Sequence, residues 1–334
     1  MENKMFIDPN AASGAGDNLF LPLVRLRQAA SRLGSECATV DTLPLEAFDA
    51  FVCCDLPDST DVTLRTLRGT GKPCYVLIFE NHFLWKNNGD FSRYKEFNRV
   101  FTYNDEVVDG EKVIKLNYAF DLPKTIAGLN AQKHKLAVMI CSNHKRDVKH
   151  LVYADRRETI TWFQDHQPDA FDLYGLNWDK GAPPFQAQPT FQRFLRRIGL
   201  LRFFPRKRYA SWRGKVARKR DVLGNYRFGF CYENTTEIPG YITEKIFDVM
   251  MAGTVPVYLG PENAKRHIPA ACFINRAEFS DHTALYSYLS SMTEERYSQY
   301  LEAIDAFISS KSSYEFWIDC FVDRILSTII KKGS

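Results

Sequence analysis

The chain has 334 residues, 45% hydrophobic and 25% charged, with a formal net charge of +4. That is an ordinary globular balance, with enough apolar material for a core that needs no disulfide or metal staple, and the length points to two domains of roughly 100–200 residues. No apolar run reaches about 18 residues, which excludes a membrane-spanning helix.

In chain order, "KMFID" reads as a strand, and "NLFLPLVRLRQAASRLG" as a helix stopped by Gly34. "CATV", "AFVCC" and "CYVLIF" read as buried strands, with "DVTLRTLRG" helical before the last; "RVFTYND" and "VIKLNY" add two more strands. Such alternation argues for a parallel sheet covered on both faces. Residues 121–135, polar with Pro and Gly, read as a linker. A second alternating unit follows: strands "LAVMICS", "FDLYG", "YRFGFCYE", "VPVYLG" and "CFIN", with helices "RRETITWFQDH" and "TEKIFDVMMAG" between them. The end is helical. The expected domains are 1–125, 136–305, and a C-terminal helix within 306–334 that packs back on the first domain.

Two α/β domains in tandem imply a cleft, with ligands beyond the carboxyl ends of the strands. The chain lacks GxGxxG and GxxxxGK[ST], which argues against a dinucleotide dehydrogenase and a P-loop NTPase. It also lacks an Asp-x-Asp pair, and no histidines have metal-ligand spacing, so no metal site is expected. The eight cysteines have no CxxC spacing and read as reduced, buried small hydrophobes of a cytosolic protein. "MENKMFIDPN" has neither a basic n-region nor an apolar h-region.

The stretch "YRFGFCYENTTEIPGYITEKIFDVMMAGTVPVYLGPENAKRHIPAACFIN" resembles the donor-binding signature of the α-1,3/1,4-fucosyltransferase family, piece by piece and in order. The resemblance implies a GT-B fold, two Rossmann-like domains facing across a cleft, and inversion at the anomeric carbon. The N-terminal half carries only a weak similarity around "FENHF".

The signature places charges where a helix begins. First-turn N–H groups lack internal partners and bear a partial positive charge, which makes an anion site. Lys245 adds a full charge there for a departing diphosphate, and Glu244 can accept hydrogen bonds from ribose hydroxyls. The family resemblance implies the same two roles and matches Asn234 and Tyr241 to positions that hold the donor. It also implies one phosphate-binding arginine at the start of an earlier helix; Arg156 and Arg157 both fit, Arg156 being preferred. Glu80 ends "PCYVLIFE", at the carboxyl end of a strand, where a general base can reach an acceptor hydroxyl. The family base lies in a Gly-Glu-Asn context, from which Phe79-Glu80-Asn81 departs at the glycine. Asp105 is a weaker candidate, and His82 is a possible acceptor contact.

Between Phe191 and Arg220 stand twelve Arg or Lys and no Asp or Glu, interleaved with aromatics. This block reads as a surface for anionic lipid or a lipid-linked acceptor, as a solvated loop, or, least of all, as a nucleic-acid contact. Lys215 and Lys219 within it hint at a donor-side role.

The expectation is therefore an inverting, metal-independent glycosyltransferase that moves fucose from GDP-β-L-fucose to a glycan hydroxyl. The linkage would be α-1,3, on a surface-polysaccharide or lipopolysaccharide-type precursor, in the cytoplasm or peripherally at the inner membrane face. It requires no cofactor and no nucleic-acid partner. The alternatives are the same chemistry with another sugar nucleotide, or a non-catalytic protein that binds anionic polymers.

Overall fold

The structure, a computed structural model, describes residues 3–10, 18–129, 131–144, 149–179 and 209–330. The first region carries helices α1 (Lys4–Ile7), α2 (Leu21–Arg32) and α3 (Val62–Gly69) around strands β1 (Phe51–Cys54), β2 (Cys74–Ile78), β3 (Arg99–Thr102) and β4 (Val113–Lys115). The four strands form one parallel sheet in the order β1-β2-β3-β4. Strand β2 is buried along its whole length, as an unbroken apolar run in a parallel sheet should be. Its residues alternate between two cores: Cys74, Val76 and Ile78 pack toward Leu64 and Leu67 of α3, and Tyr75 and Leu77 toward Leu23 and Leu26 of α2.

The second region holds β5 (Lys135–Ile140), α4 (Tyr153–His166), β6 (Phe171–Tyr174), α5 (Lys219–Leu223), β7 (Tyr226–Tyr232), α6 (Glu244–Met251), β8 (Val255–Leu259) and β9 (Ile274–Asn275). Helices α7 (His282–Ser290), α8 (Glu294–Ser309) and α9 (Ile318–Ile329) follow. Its sheet is parallel, in the order β6-β5-β7-β8-β9. The order reverses between β5 and β7, so the loops after these strands diverge and leave a crevice at their carboxyl ends.

Three segments tie the regions together. Helix α9 lies on the first sheet, with Ile318, Phe321 and Ile325 in the core of Leu23 and Phe101, and Arg324 donating to the Lys115 carbonyl at 2.6 Å. The loop before α6 sends Ile238 and Tyr241, each 2% exposed, into the core built on Val76 and Val100. Gly240 makes this approach possible: its φ is +81°, and a Cβ there would stand 2.3 Å from the Tyr103 carbonyl oxygen. The third tie is a charge network. The His267 ring lies 2.8 Å from Asp105 and 3.1 Å from Glu315, and Asn263 also donates to Asp105 at 2.6 Å.

Two expected strands are absent. "KMFID" forms the short helix α1, and "CATV" joins no ladder. Asn3 accounts for both: it stands at φ 54° before the helix, and its side-chain oxygen takes the Thr39 N–H at 2.8 Å. The two segments therefore meet through one side chain, whereas a strand would need a row of backbone bonds. Ile7 is 64% exposed, which a strand buried on both faces would not tolerate.

Candidate functional site

Glu80 follows β2, at the carboxyl end of the first sheet, and its backbone is held from below. Asp55, at φ 62° after β1, accepts the Phe79 N–H at 2.7 Å and the Glu80 N–H at 2.9 Å through one oxygen. An aspartate adopts that left-handed conformation more readily than most residues. The same oxygen takes the Asn88 amide at 2.8 Å, and Asn88 also donates to the Glu80 carbonyl at 2.8 Å. The Glu80 carboxylate accepts from Asn81 N–H at 2.8 Å and Nδ2 at 2.7 Å. Across the cleft, the Tyr241 hydroxyl donates to it at 3.4 Å. Burial raises the Glu80 pKa above its ordinary value; the Asn81 N–H and the Lys245 charge only partly offset this. A carboxylate shifted that way is a better proton acceptor near neutral pH.

Tyr241 joins the two halves. Its hydroxyl receives Asn81 Nδ2 at 3.2 Å from the first region and Asn234 Nδ2 at 3.3 Å from the second. Asn234 in turn accepts Nη2 of Arg156 at 3.1 Å. Arg156, on the first turns of α4, is 6% exposed, and Nη2 also donates to the carbonyls of Tyr232 at 2.6 Å and Glu233 at 2.8 Å. Arg157 points elsewhere, donating to the His144 carbonyl at 3.1 Å. Both arginines line a small depression with Asn143, His144, Tyr153 and Trp178, above the ends of β5 and β6.

At the start of α6, Lys245 Nζ lies 3.3 Å from Glu233 and 3.5 Å from Glu244, and donates to the Thr243 hydroxyl at 2.8 Å. Burial by itself would lower the Lys245 pKa, but Glu244 and Glu233 outweigh it and raise the value. Burial likewise would raise Glu244, but Lys245 and then Lys219 pull it down to about 2. Glu244 is therefore an anion throughout the physiological range, able to accept from hydroxyls. Lys219 sits 3.8 Å from Glu244 and donates to Asp248 at 2.6 Å. Thr243 precedes the helix without capping it through its side chain.

Asp105 does not sit as a base. Burial would raise its pKa, but hydrogen bonds from His267 and Lys115 reverse this and hold it well below the usual carboxylate range. His82 lies against Phe83, with ring centroids 4.4 Å apart and the rings tilted by 53°, and burial lowers its pKa. A separate cavity of about 180 Å³ opens beside α4, lined by Asp155, Glu158, Tyr232, Arg276 and His282; none of Glu80, Tyr241, Glu244 and Lys245 lines it. Among the described residues, no group of three or more His, Cys, Asp or Glu is gathered as for a metal ion.

Sequence reasoning missed Glu233, Asp55 and Asn88. Glu233 was within reach, because a carboxylate ending the apolar run "YRFGFCY" must find buried partners. Asp55 and Asn88 are remote from Glu80 in the chain and gave no local signal. Most of the basic block, residues 191–208, lies outside the described residues. In the remainder, Arg213 pairs with Asp172 and Lys219 with Asp248, so two of the twelve charges are taken up within the chain.

Residues 205–317 match the model of Glycosyltransferase family 10 (fucosyltransferase) C-term. An 82-residue segment is 37% identical to human alpha-(1,3)-fucosyltransferase 7, covering 24% of each chain. A 74-residue segment is 32% identical to alpha-(1,3)-fucosyltransferase FucT of Helicobacter pylori, covering 22% of this chain and 15% of that protein. These matches thus span less than a quarter of either relative's length. A crystal structure of an α1,3-fucosyltransferase with GDP superposes with a TM-score of 0.53 at 13% identity, over 95% of this chain and 85% of that one. That likeness is one of fold: two parallel-sheet domains in the GT-B arrangement.

Proposed function

We propose that this chain, whose residues 205–317 match the family 10 fucosyltransferase C-terminal model, is an inverting α-1,3-fucosyltransferase that uses GDP-β-L-fucose as donor. The observation that carries the reading is the meeting of Glu80 with Tyr241 at 3.4 Å, which sets a proton acceptor from one domain against the donor signature of the other. Glu80 takes the proton of an acceptor hydroxyl. The freed oxygen attacks the anomeric carbon as the bond from that carbon to the phosphate oxygen breaks, and the β-linked sugar becomes α-linked. GDP departs with the bonding electron pair. Lys245, Arg156 and the start of α6 meet the charge that grows on it, in a partly dry site where such groups count most. Glu244 receives the ribose hydroxyls. With cations so disposed, turnover is expected to persist in EDTA.

Calorimetric titration with GDP and UDP tests the donor, and NMR of the product tests the linkage. Tighter binding of UDP than GDP would favour the second reading, another sugar nucleotide. The acceptor belongs to the proposal as a glycan on a surface-polysaccharide or lipid-linked precursor, reached at an anionic membrane face through residues 191–220. Support for that face is the sequence composition alone. Co-sedimentation with anionic vesicles across a salt series tests it, and absence of binding at low salt removes it.

A further inference from the structure

Glu233 has no assigned role, yet both of its carboxylate oxygens are engaged beside the crevice. It follows β7, is 0% exposed, and continues the ladder by donating its N–H to the Leu259 carbonyl at 2.8 Å. One carboxylate oxygen accepts the Thr243 N–H at 2.8 Å and the Tyr258 hydroxyl at 3.3 Å. The other accepts the Thr243 hydroxyl at 2.6 Å and faces Lys245 Nζ at 3.3 Å. A carboxylate offers about four acceptor positions, and all four are occupied. Glu233 therefore has nothing left to offer a ligand. Its backbone carbonyl meanwhile takes Arg156 Nη2 at 2.8 Å.

We infer that Glu233 is the positioning residue of the donor site, holding Lys245 by its side chain and Arg156 by its carbonyl so that both cations face one diphosphate. This rests on the donor reading given above. Two consequences of the geometry support it. A buried charge is costly unless paired and hydrogen-bonded, and here the pairing fixes a long, otherwise adaptable lysine. Glu233 also engages the Thr243 hydroxyl, which would otherwise be free to cap the first turn of α6. The helix start is thereby left uncapped and available to an anion.

The test is Glu233→Gln in the full chain, with GDP, GMP and guanosine affinities measured by calorimetry or competition, each across a pH series. The expected result is a loss of GDP affinity of about tenfold or more with guanosine affinity unchanged, because only phosphate-facing groups move. The pH profile supplies a second readout. Lys245 must be protonated to hold phosphate, so GDP binding is lost as pH rises through its pKa. Glu233 helps raise that pKa, so the variant should lose GDP at a lower pH than wild type. A parallel fall for GDP and guanosine, or unchanged GDP binding, overturns the inference. If Glu233→Gln does not fold, Thr243→Val removes the hydroxyl that bridges Glu233 and Lys245, and the same selective loss, smaller in size, is required of it. A wild-type protein that binds no GDP at all overturns the donor reading instead.

Discussion

The two sides of the cleft are built by different means. On the first side Glu80 stands on a frame of hydrogen bonds: Asp55 grips two backbone N–H groups, and Asn88 and Tyr103 hold the Glu80 carbonyl. On the second side Lys245 stands between Glu233 and Glu244, with Lys219 beside Glu244, so that charged groups hold one another in place. Removing the Glu80 charge leaves its frame standing, because the frame grips the Glu80 backbone. Removing a charge from the second side shifts the rest, because charges in one network do not act additively.

The strongest test of that contrast is Glu80→Gln. The amide keeps the shape and cannot take a proton, so transfer should fall by roughly 10²–10⁴-fold while GDP affinity stays within twofold. If GDP affinity falls as well, the frame around Glu80 is not independent of its charge. Lys245→Ala should behave in the opposite manner. Transfer is expected to drop by about 10²–10³-fold, the cost of losing one charge-stabilising group, and GDP affinity should drop with it. Calorimetry beside steady-state rates separates the two variants; an unchanged rate in folded protein would take Lys245 out of the mechanism.

The smallest effect lies where the sides are joined. Hydrogen bonds to Asp105 and Glu315, partly offset by burial, raise the His267 pKa to about 9. A histidine raised above its ordinary value of about 6.5 contributes stability that is full below that pH and is lost as pH climbs through 9. For a group 11% exposed, the loss is on the order of 3 kcal/mol. Urea midpoints of wild type should decline between pH 6.5 and 9.5, and those of His267→Gln should be flat over that window. Parallel curves would mean that the network is not what couples stability to pH there.

The legibility of the chain follows the same divide. Strand β7, the loop through Tyr241, helix α6 and strand β8 are contiguous, and the contacts of Glu233 with Thr243, Lys245 and Tyr258 run between residues close in sequence, so this part of the donor side could be read from one stretch. The partners of Glu80 come from Asp55, Asn88 and Tyr241, brought together only by sheet order and domain packing. Period and propensity carry no trace of such contacts. The choice between Arg156 and Arg157 was equally closed to sequence: consecutive helical residues point about 100° apart, and only the helix rotation brings Arg156 to Asn234. The strands mistaken at "KMFID" and "CATV" were short apolar runs, for which helix and strand look alike.

Helix α9 carries one more consequence. It closes a face of the first sheet with Phe321 and Ile325, although some two hundred residues separate it from β4. During synthesis the first sheet is finished early, but on that face only α2 is there to cover it until α9 leaves the ribosome, after the whole second domain. At roughly 5–20 residues per second, the apolar side of Tyr75, Leu77 and Phe101 waits about ten seconds or more for the part of its cover that Phe321 and Ile325 supply. A nascent chain of this design has a long interval in which a chaperone, or a neighbouring nascent chain, competes with its own last helix for the same surface.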